Sequence, residues 1–217
     1  MAGLDQISNL ARPHALAVLG AFHKGAAPVP EGVETLVLLG PQEPGFWASF
    51  TQSPEYRDTL PDPMDRWSRR ILDALAGRLG ACAFYPFGTT PPHPFYTWAK
   101  ASGRAWPSPV QFLVHDTAGL WLSYRGALGF AQRLDLPPPP AAQSPCTTCA
   151  QPCVTACPAR ALTQTGYDTA ACHAYLDQPA GQACMTGGCA VRAACPLSHA
   201  YGRDPDQSAF HMRHFHT

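Results

Sequence analysis

Cysteine is the residue type in this chain whose spacing is most typical of chemistry. Eight of the nine cysteines lie between residues 146 and 195. The stretch opens as CTTCAQPCVTACP, which spaces the first four thiols as C-x2-C-x3-C-x3-C-P, and the second four also end in a Cys-Pro pair. The eight are Cys146, Cys149, Cys153, Cys157, Cys172, Cys184, Cys189 and Cys195. Gaps this short let one tight loop present several thiolates to a shared metal group, and proline then fixes φ and removes an N–H.

Two [4Fe–4S] clusters are the interpretation that this pattern favours. The first run is one residue longer than the C-x2-C-x2-C-x3-C-P run of bacterial ferredoxins. Disulfides are a poor alternative because four cysteines so close together cannot pair well, and nothing marks secretion. A four-thiolate zinc site usually has two C-x2-C pairs, whereas only Cys146 and Cys149 form one here. A single cluster with four spare cysteines is the remaining alternative.

Ferredoxin geometry predicts which thiol serves which cluster. In two-cluster ferredoxins the fourth cysteine of a run points away from its own loop and ligates the other cluster. We therefore assign the first cluster to Cys146, Cys149, Cys153 and Cys195, and the second to Cys157, Cys172, Cys184 and Cys189. Gly187 and Gly188 would let the backbone bend closely around the metal.

The cysteine region resembles a known module. Residues 146–158, the ACHAYL segment around Cys172 and the closing Cys-Pro pair look like the double-cluster module of epoxyqueuosine reductases and reductive dehalogenases. The resemblance covers about the last third of the chain. It implies two [4Fe–4S] clusters beside a cobalamin that a nitroreductase-like domain holds.

Composition limits the other functions. The formal net charge is zero, so an anionic membrane or a nucleic acid is not an expected partner. Only 14% of the residues are charged and 46% are hydrophobic, while the chain has 24 prolines and 18 glycines, which predicts ordered loops around buried groups. No apolar run reaches transmembrane length, the N-terminus lacks the features of a signal peptide, and thiolate ligands suit a reducing cytoplasm.

Hydrophobic periodicity predicts the elements of the first part of the chain. We expect a short helix at 4–10, strands at 15–22, 34–40 and 81–88, and a short helix with Phe46, Trp47 and Phe50. The strongest helix is predicted after Asp62, with Asp62 as cap, Pro63 in its first turn and an apolar face to Leu79. Cys82 is predicted to be a free buried thiol.

Residues 89–130 contain two ambiguous segments. Segment 89–109 is rich in proline and aromatic residues, and it is either a cover for the sheet or a pocket wall for a planar ligand. Residues 111–115 and 120–130 are predicted to form a hairpin. Arg125 lies among apolar residues in this hairpin, so it should meet an anionic partner, either in a structural ion pair or as an anion-binding residue of a pocket.

A second resemblance favours the pocket interpretation. Over about residues 33–130, the strand at 36–39, the sequence LPDPMDRW and the sequence HDTAGLWLSYRGAL are similar to the CblC-type cobalamin-processing proteins, which have a modified flavin-nitroreductase fold. Arg125 falls at the arginine of that family's RG pair, and His93 lies near its pocket histidine. This resemblance implies a cobalamin pocket that includes Arg125 and His93, with FMN as the alternative cofactor. The aromatic residues Phe95, Tyr96 and Trp98 of segment 89–109 would cover the ring face of either ligand.

The predicted organisation is therefore an α+β chain in three parts. Residues 1–136 would form a nitroreductase-like domain with an antiparallel sheet flanked by helices, 137–145 a proline-rich linker, and 146–217 a small ferredoxin-like double-cluster domain. The tail histidines, His211, His214 and His216, could bind metal, but surface or packing roles are favoured.

These features predict an iron–sulfur oxidoreductase. It would take electrons from an external donor through two clusters to a corrinoid, reducing it or removing its upper ligand. Alternatives are a soluble ferredoxin-like carrier, a corrinoid chaperone, or a flavin- or corrinoid-dependent reductase of a small organic substrate. Action on a transfer-RNA base is disfavoured because the chain has no basic excess. The nitroreductase relatives often pair, so a homodimer is possible.

Overall fold

The apolar segments near the N-terminus form the centre of an antiparallel sheet. A computed structural model describes residues 3–140 and 143–216. Its main sheet consists of β1 (Leu16–His23), β2 (Thr35–Pro41), β3 (Cys82–Phe84) and β6 (Gly126–Phe130), which lie in the order β1-β2-β6-β3. Strands β4 (Ala105–Pro107) and β5 (Leu113–His115) form a separate pair. Every residue of β2 is buried, as a central strand requires. The chain is thus mixed α and β with a small antiparallel sheet and helices, as predicted.

Ten helices accompany these strands in the described ranges. They are α1 (Leu4–Ala11), α2 (Phe46–Thr51), α3 (Pro54–Arg57), α4 (Pro63–Leu79), α5 (Phe95–Ala101), α6 (Thr169–Leu176), α7 (Gln182–Gly187), α8 (Ala190–Ala193), α9 (Pro196–Tyr201) and α10 (Pro205–Phe215). Short 3₁₀ turns lie at Arg12–His14, Pro145–Thr147, Pro152–Val154 and Pro179–Gly181. Within 3–140 and 143–216, no helix has the length and hydropathy needed to cross a membrane.

Helix α4 is the longest helix of the described chain and follows its sequence pattern. Met64, Trp67, Ile71 and Leu75 are buried on one face. Gly80 ends the helix in the left-handed conformation, with φ of 64°. Asp62 does begin the helix, but its side chain accepts no capping hydrogen bond and its own φ is 51°, so the predicted side-chain cap is wrong.

The described chain divides into two units. The first comprises residues 3–104 and 123–140, and the second comprises 105–122 and 143–216. The sequence analysis placed the whole of 1–136 in one domain, whereas the structure packs 105–122 with the cysteine region. The predicted hairpin of 111–115 with 120–130 is wrong for the same reason. Strand β5 pairs with β4, while β6 pairs with β2 and β3.

The second unit has its own small core. Its buried members are Val110, Val114, Leu120, Cys153, Leu162, Val191 and Cys195. Three of the seven come from the 105–122 segment and two are cysteines, so this segment and the thiols share one apolar environment.

Candidate functional site

Two short proline-initiated turns position the first cysteines. Cys146 lies in the 3₁₀ turn Pro145–Thr147, whose N-cap serine, Ser144, accepts a hydrogen bond from the Cys146 backbone N–H. Cys153 lies in the next turn, Pro152–Val154. Proline suits the first position of each turn because its fixed φ is already helical and its missing N–H would be unpaired there. The sequence thus builds a proline-initiated 3₁₀ turn twice within ten residues of chain.

The later cysteines lie in or directly before short helices. Cys172 is within α6 and Cys184 within α7. Cys189 and Cys195 are the residues directly before α8 and α9. Both have extended backbone conformations, with ψ of 120° and 125°, so each marks a change of chain direction.

The structure brings Cys146, Cys149, Cys153 and Cys195 within reach of one another's charge. Burial is the main cause that raises the pKa of the Cys146 thiol, and Cys195 and Cys149 raise it further. Burial likewise raises the pKa of Cys153, with added contributions from Cys146, Cys195 and Cys149. We call these four cysteines the first thiol set.

Cys157, Cys172, Cys184 and Cys189 form the second thiol set. The pKa of Cys184 is raised by burial first, and then by the charges of Cys189, Cys157 and Cys172. Burial also raises the pKa of Cys172, with smaller contributions from Cys189 and Cys157. No thiol of the first set acts on these two pKa values, so the eight thiols fall into two groups of four.

Several hydrogen bonds reach the sulfur atoms. The Gln151 N–H donates to Cys149 Sγ at 3.3 Å in the first set, and the Ala161 N–H donates to Cys157 Sγ at 3.3 Å in the second. The Tyr167 hydroxyl and the Ala190 N–H bond to Cys172 and Cys184 and oppose the rise of their thiol pKa values. Hydrogen bonds of this kind stabilise sulfur in its charged form, whether as a thiolate or as a metal ligand.

Each thiol set supplies four free sulfur atoms. All nine cysteines are free. Among the described residues, no group of three or more His, Cys, Asp or Glu side chains is arranged to hold one metal ion. A [4Fe–4S] cluster takes four thiolates, one for each iron, so its ligands surround a volume and need not converge on one point. Four free thiols in each set therefore match the donor set of such a cluster.

Segment 105–122 packs with the cysteine region in the second unit. The sequence analysis missed this packing. The Leu120 N–H donates to the buried Ser198 hydroxyl at 3.0 Å. Gly119 has φ of +56°, and a Cβ built there would lie 2.5 Å from the Ser198 nitrogen. Only glycine fits so close an approach of two backbones. The sequence signal was the single glycine in DTAGLW, which lies between the two strands of the predicted hairpin.

Arg192 is the second feature that the sequence analysis missed. It is partly buried, its Nη1 donates to the Leu120 carbonyl at 2.6 Å, and its guanidinium lies 4.2 Å from the centroid of the Phe112 ring. Burial lowers its pKa, while Cys189 and Tyr167 oppose that change. The two groups that oppose this change are thus a thiol of the second set and a phenol, and Arg192 has no carboxylate partner among the described residues.

Three of the predicted pocket residues pack together in the first unit. The His93 ring stacks on Trp98 with centroids 5.6 Å apart, and the Phe95 centroid lies 4.9 Å from that of Trp98. Phe95 and Trp98 are buried, and Trp98 Nε1 donates to the Pro28 carbonyl at 2.8 Å. Tyr96 is 50% exposed and instead lies beneath the Lys100 ammonium group. These contacts are those of a packed aromatic cluster that covers the sheet.

Arg125 has the anionic partner that the sequence required. Its Nη1 lies 3.6 Å from Asp65 Oδ1, and its Nε donates to the Tyr124 carbonyl at 3.2 Å. The side chain is 13% exposed, and burial lowers the pKa of the guanidinium while Asp65 opposes that change. This arrangement is the structural ion pair that was one of the two predicted alternatives.

The remaining predicted positions have simple structural roles. Cys82 is free but exposed, so its predicted burial is wrong. The reason is that Cys82 begins the short edge strand β3.

The glycines and the tail histidines of the second unit also have clear positions. Gly188 has φ of 91° and follows the end of α7, whereas a Cβ built at Gly187 would meet open space. His216 bonds Asp177 and His173, and His214 bonds the Phe210 carbonyl, so these tail histidines make packing contacts.

Comparisons with protein-family models, with curated proteins and with solved structures find no match to this chain.

Proposed function

We propose that the second unit binds two [4Fe–4S] clusters and that this protein transfers electrons one at a time. The observation that carries the proposal is the grouping of eight free thiols into two sets of four. The first thiol set would hold one cluster and the second thiol set the other, which is the crossed ligation of two-cluster ferredoxins. When bound, such clusters supply reversible one-electron reduction.

The chain's own residues would adapt the clusters to this task. Cys153 and Cys195 are buried in an apolar core, which limits the access of water to these two thiols of the first set. N–H donors at Gln151 and Ala161 reach one sulfur in each set and would stabilise added negative charge. These residues support a protein that accepts and passes on electrons.

We propose a corrinoid as the electron acceptor, on the strength of the two resemblances. Both families handle cobalamin, and the first unit would supply the nitroreductase-like, CblC-like domain that binds it. Its small antiparallel sheet is compatible with that proposal. The reaction would be reduction of the corrinoid or removal of its upper ligand in the cytoplasm, with an external donor. The ion pair of Arg125 and the packing of Phe95 and Trp98 favour structural roles for these residues over direct cofactor contact.

Iron analysis tests the cluster proposal directly. Protein reconstituted without oxygen should contain about eight irons and eight sulfides per chain. Cys157→Ala and Cys195→Ala should each lose one cluster, and electron paramagnetic resonance should show a different survivor in each. Cys82→Ser is the matched control and should keep full iron content. A wild-type count near four, or stoichiometric zinc with no iron, would overturn the two-cluster proposal.

A titration then decides between reductase and carrier. Reduced protein is mixed with cob(II)alamin or with FMN, and absorbance is followed before and after desalting. Retention and reduction of cobalamin supports the corrinoid reductase, and retention of FMN supports the flavin alternative. If neither stays bound while the clusters still reduce a soluble acceptor, the protein is a ferredoxin-like carrier.

A further inference from the structure

The first unit contains a cleft that none of the predicted site residues lines. Its volume is about 530 Å³, which lies within the range of about 300–1,000 Å³ that is typical of small-molecule sites. Strand β1 forms its floor, the residues that follow α5 form one side, and the prolines at 137–140 form the other. Arg125, His93 and the aromatic residues of α5 are absent from its lining.

An irregularity in β1 shapes the floor of this cleft. The pairing of β1 with β2 shifts register between Val18 and Gly20. Gly20 has φ of +152°, and a Cβ built there would lie 2.6 Å from the Ser102 hydroxyl oxygen. The bulge also turns the Val18 carbonyl towards Arg104, whose Nη1 donates to it at 3.4 Å. Bulges of this kind re-aim a strand and are common beside binding sites.

The proline segment closes the cleft on one side. Pro139 packs so close to Gly103 that a Cβ there would lie 2.8 Å from its ring, and Gly103 has φ of +68°. Prolines lose little entropy when ordered because their φ is already fixed. The wall is therefore apolar and stiff, as is the floor formed by Val18, Ala21 and Phe22.

Every ionisable side chain among the described lining residues is basic. They are His23, Lys24, Arg104 and Arg133. Lys24 is paired with Glu34 at 3.0 Å, and Arg104 and Arg133 add two guanidinium groups to the lining. Burial lowers the pKa of His23, and the charge of Arg133 lowers it further, as expected in a positive field.

We propose that this cleft binds an organic anion with an apolar body and a terminal phosphate or carboxylate group. Arginine presents a planar fork of donors that matches either group. The apolar floor and proline wall would cover the body of the ligand, while Arg104 and Arg133 bind its charged end. The proposal concerns the first unit alone and does not depend on the thiol sets.

Three related probes separate the two parts of this recognition. They are 1-naphthyl phosphate, 1-naphthoate and the neutral 1-naphthol, with binding followed by probe fluorescence. The phosphate or the carboxylate should bind at least about tenfold more tightly than the naphthol, as loss of a charged hydrogen bond predicts. The stronger of the two anions identifies the head group. Binding should also weaken as salt is added, because the arginines are exposed to solvent in part.

Arg133→Met is the decisive variant because Arg133 is exposed and holds no other described element in place. It should weaken binding of the preferred anion by about tenfold and leave naphthol binding unchanged. Arg57→Met is the matched control, since it removes an exposed arginine of α3 that does not line the cleft. Ala21→Phe should fill the floor and abolish binding of all three probes, with circular dichroism confirming an intact fold.

Three results would overturn the proposal. One is absence of anion binding to the wild-type protein at millimolar concentration. Another is naphthol binding as tightly as the anions, which would indicate an apolar patch without anion selectivity. The third is an Arg133→Met variant that binds the anion as the wild type does.

Discussion

Replacing Arg192 with methionine should lower the reduction potential of one cluster only. Arg192 lies beside Cys189 of the second thiol set and has no carboxylate partner among the described residues. A cluster becomes more negative when it is reduced, so a nearby cation stabilises the reduced form. Removing that cation should therefore make the cluster of the second set harder to reduce. Arg192 interacts with Cys189 and with no thiol of the first set, so the cluster of the first set should not respond.

Coulomb's law gives the size of this effect. Two unit charges roughly 7 Å apart interact by about 2.4 kcal/mol at an effective dielectric constant of about 20, and by about half as much at 40. For a one-electron couple, about 1.4 kcal/mol corresponds to about 59 mV. Because Arg192 is only partly buried, the expected fall is about 50–100 mV. Methionine keeps an unbranched apolar chain over the Phe112 ring, so most of the packing survives.

A redox titration followed by electron paramagnetic resonance measures both clusters separately. The Arg192→Met protein should show one potential shifted downward and one unchanged, at full iron content. Arg192→Lys keeps the charge and should restore most of the shifted potential. Arg160→Met is the matched control, because Arg160 also follows a second-set cysteine by three residues but is exposed to solvent.

This titration tests the role of Arg192 as a counter-charge separately from the two-cluster proposal. If the wild-type protein holds two clusters and Arg192→Met leaves both potentials unchanged, the role of Arg192 as a counter-charge is wrong. Equal shifts at both clusters would also refute it, since they would indicate a general change in the unit. If the wild-type protein lacks a second cluster, the two-cluster proposal fails before Arg192 is tested.

Three further variants probe the structure around the candidate site. Gly119→Ala should lower the free energy of unfolding of the second unit by about 1–3 kcal/mol, because the added Cβ would meet the backbone of α9 and the residue has a positive φ. Thermal unfolding measures this change. Gly166→Ala is the control, because a Cβ there meets open space. Arg125→Ala should lower the thermal stability of the first unit, because it removes a partly buried ion pair with Asp65, and it should leave iron content unchanged; a normal melting curve together with lost cobalamin binding would instead support a pocket role. Cys82→Ser should change neither iron content nor stability, because this thiol is exposed, and lost iron would contradict that placement.

The sequence predicted those helices and strands that are specified by the pattern of apolar residues within one segment. The period of apolar residues along α4 and the apolar run of β2 each specify one element without reference to the rest of the chain. The short gaps between the first cysteines also specify a tight loop locally. These are the features on which the structure and the sequence agree most closely.

The errors arose where a segment's partner lies far away in sequence. Alternation along 111–130 predicted a strand pair, but it could not show that β5 pairs with β4 while β6 joins the main sheet. The aromatic residues of α5 are equally suited to a pocket wall and to a core, and only the stacking of His93, Phe95 and Trp98 decides between these. Arg192 gave no sequence signal because a lone arginine is usually a solvated surface residue.

In the second unit, metal binding to the thiol sets should be linked to deprotonation of the thiols. Burial and neighbouring thiols raise the pKa values of Cys146, Cys153, Cys172 and Cys184 together, because each added thiolate repels the others. Four thiolates are therefore unstable side by side unless a cationic group lies between them. Metal ligation requires the thiolate form, so loading each set must release protons, and the binding free energy then stabilises the fold. This contribution would matter here because two of the seven residues in the second unit's core are cysteines of the first thiol set. Removal of iron by a chelator should accordingly lower the stability of the second unit and leave that of the first unchanged.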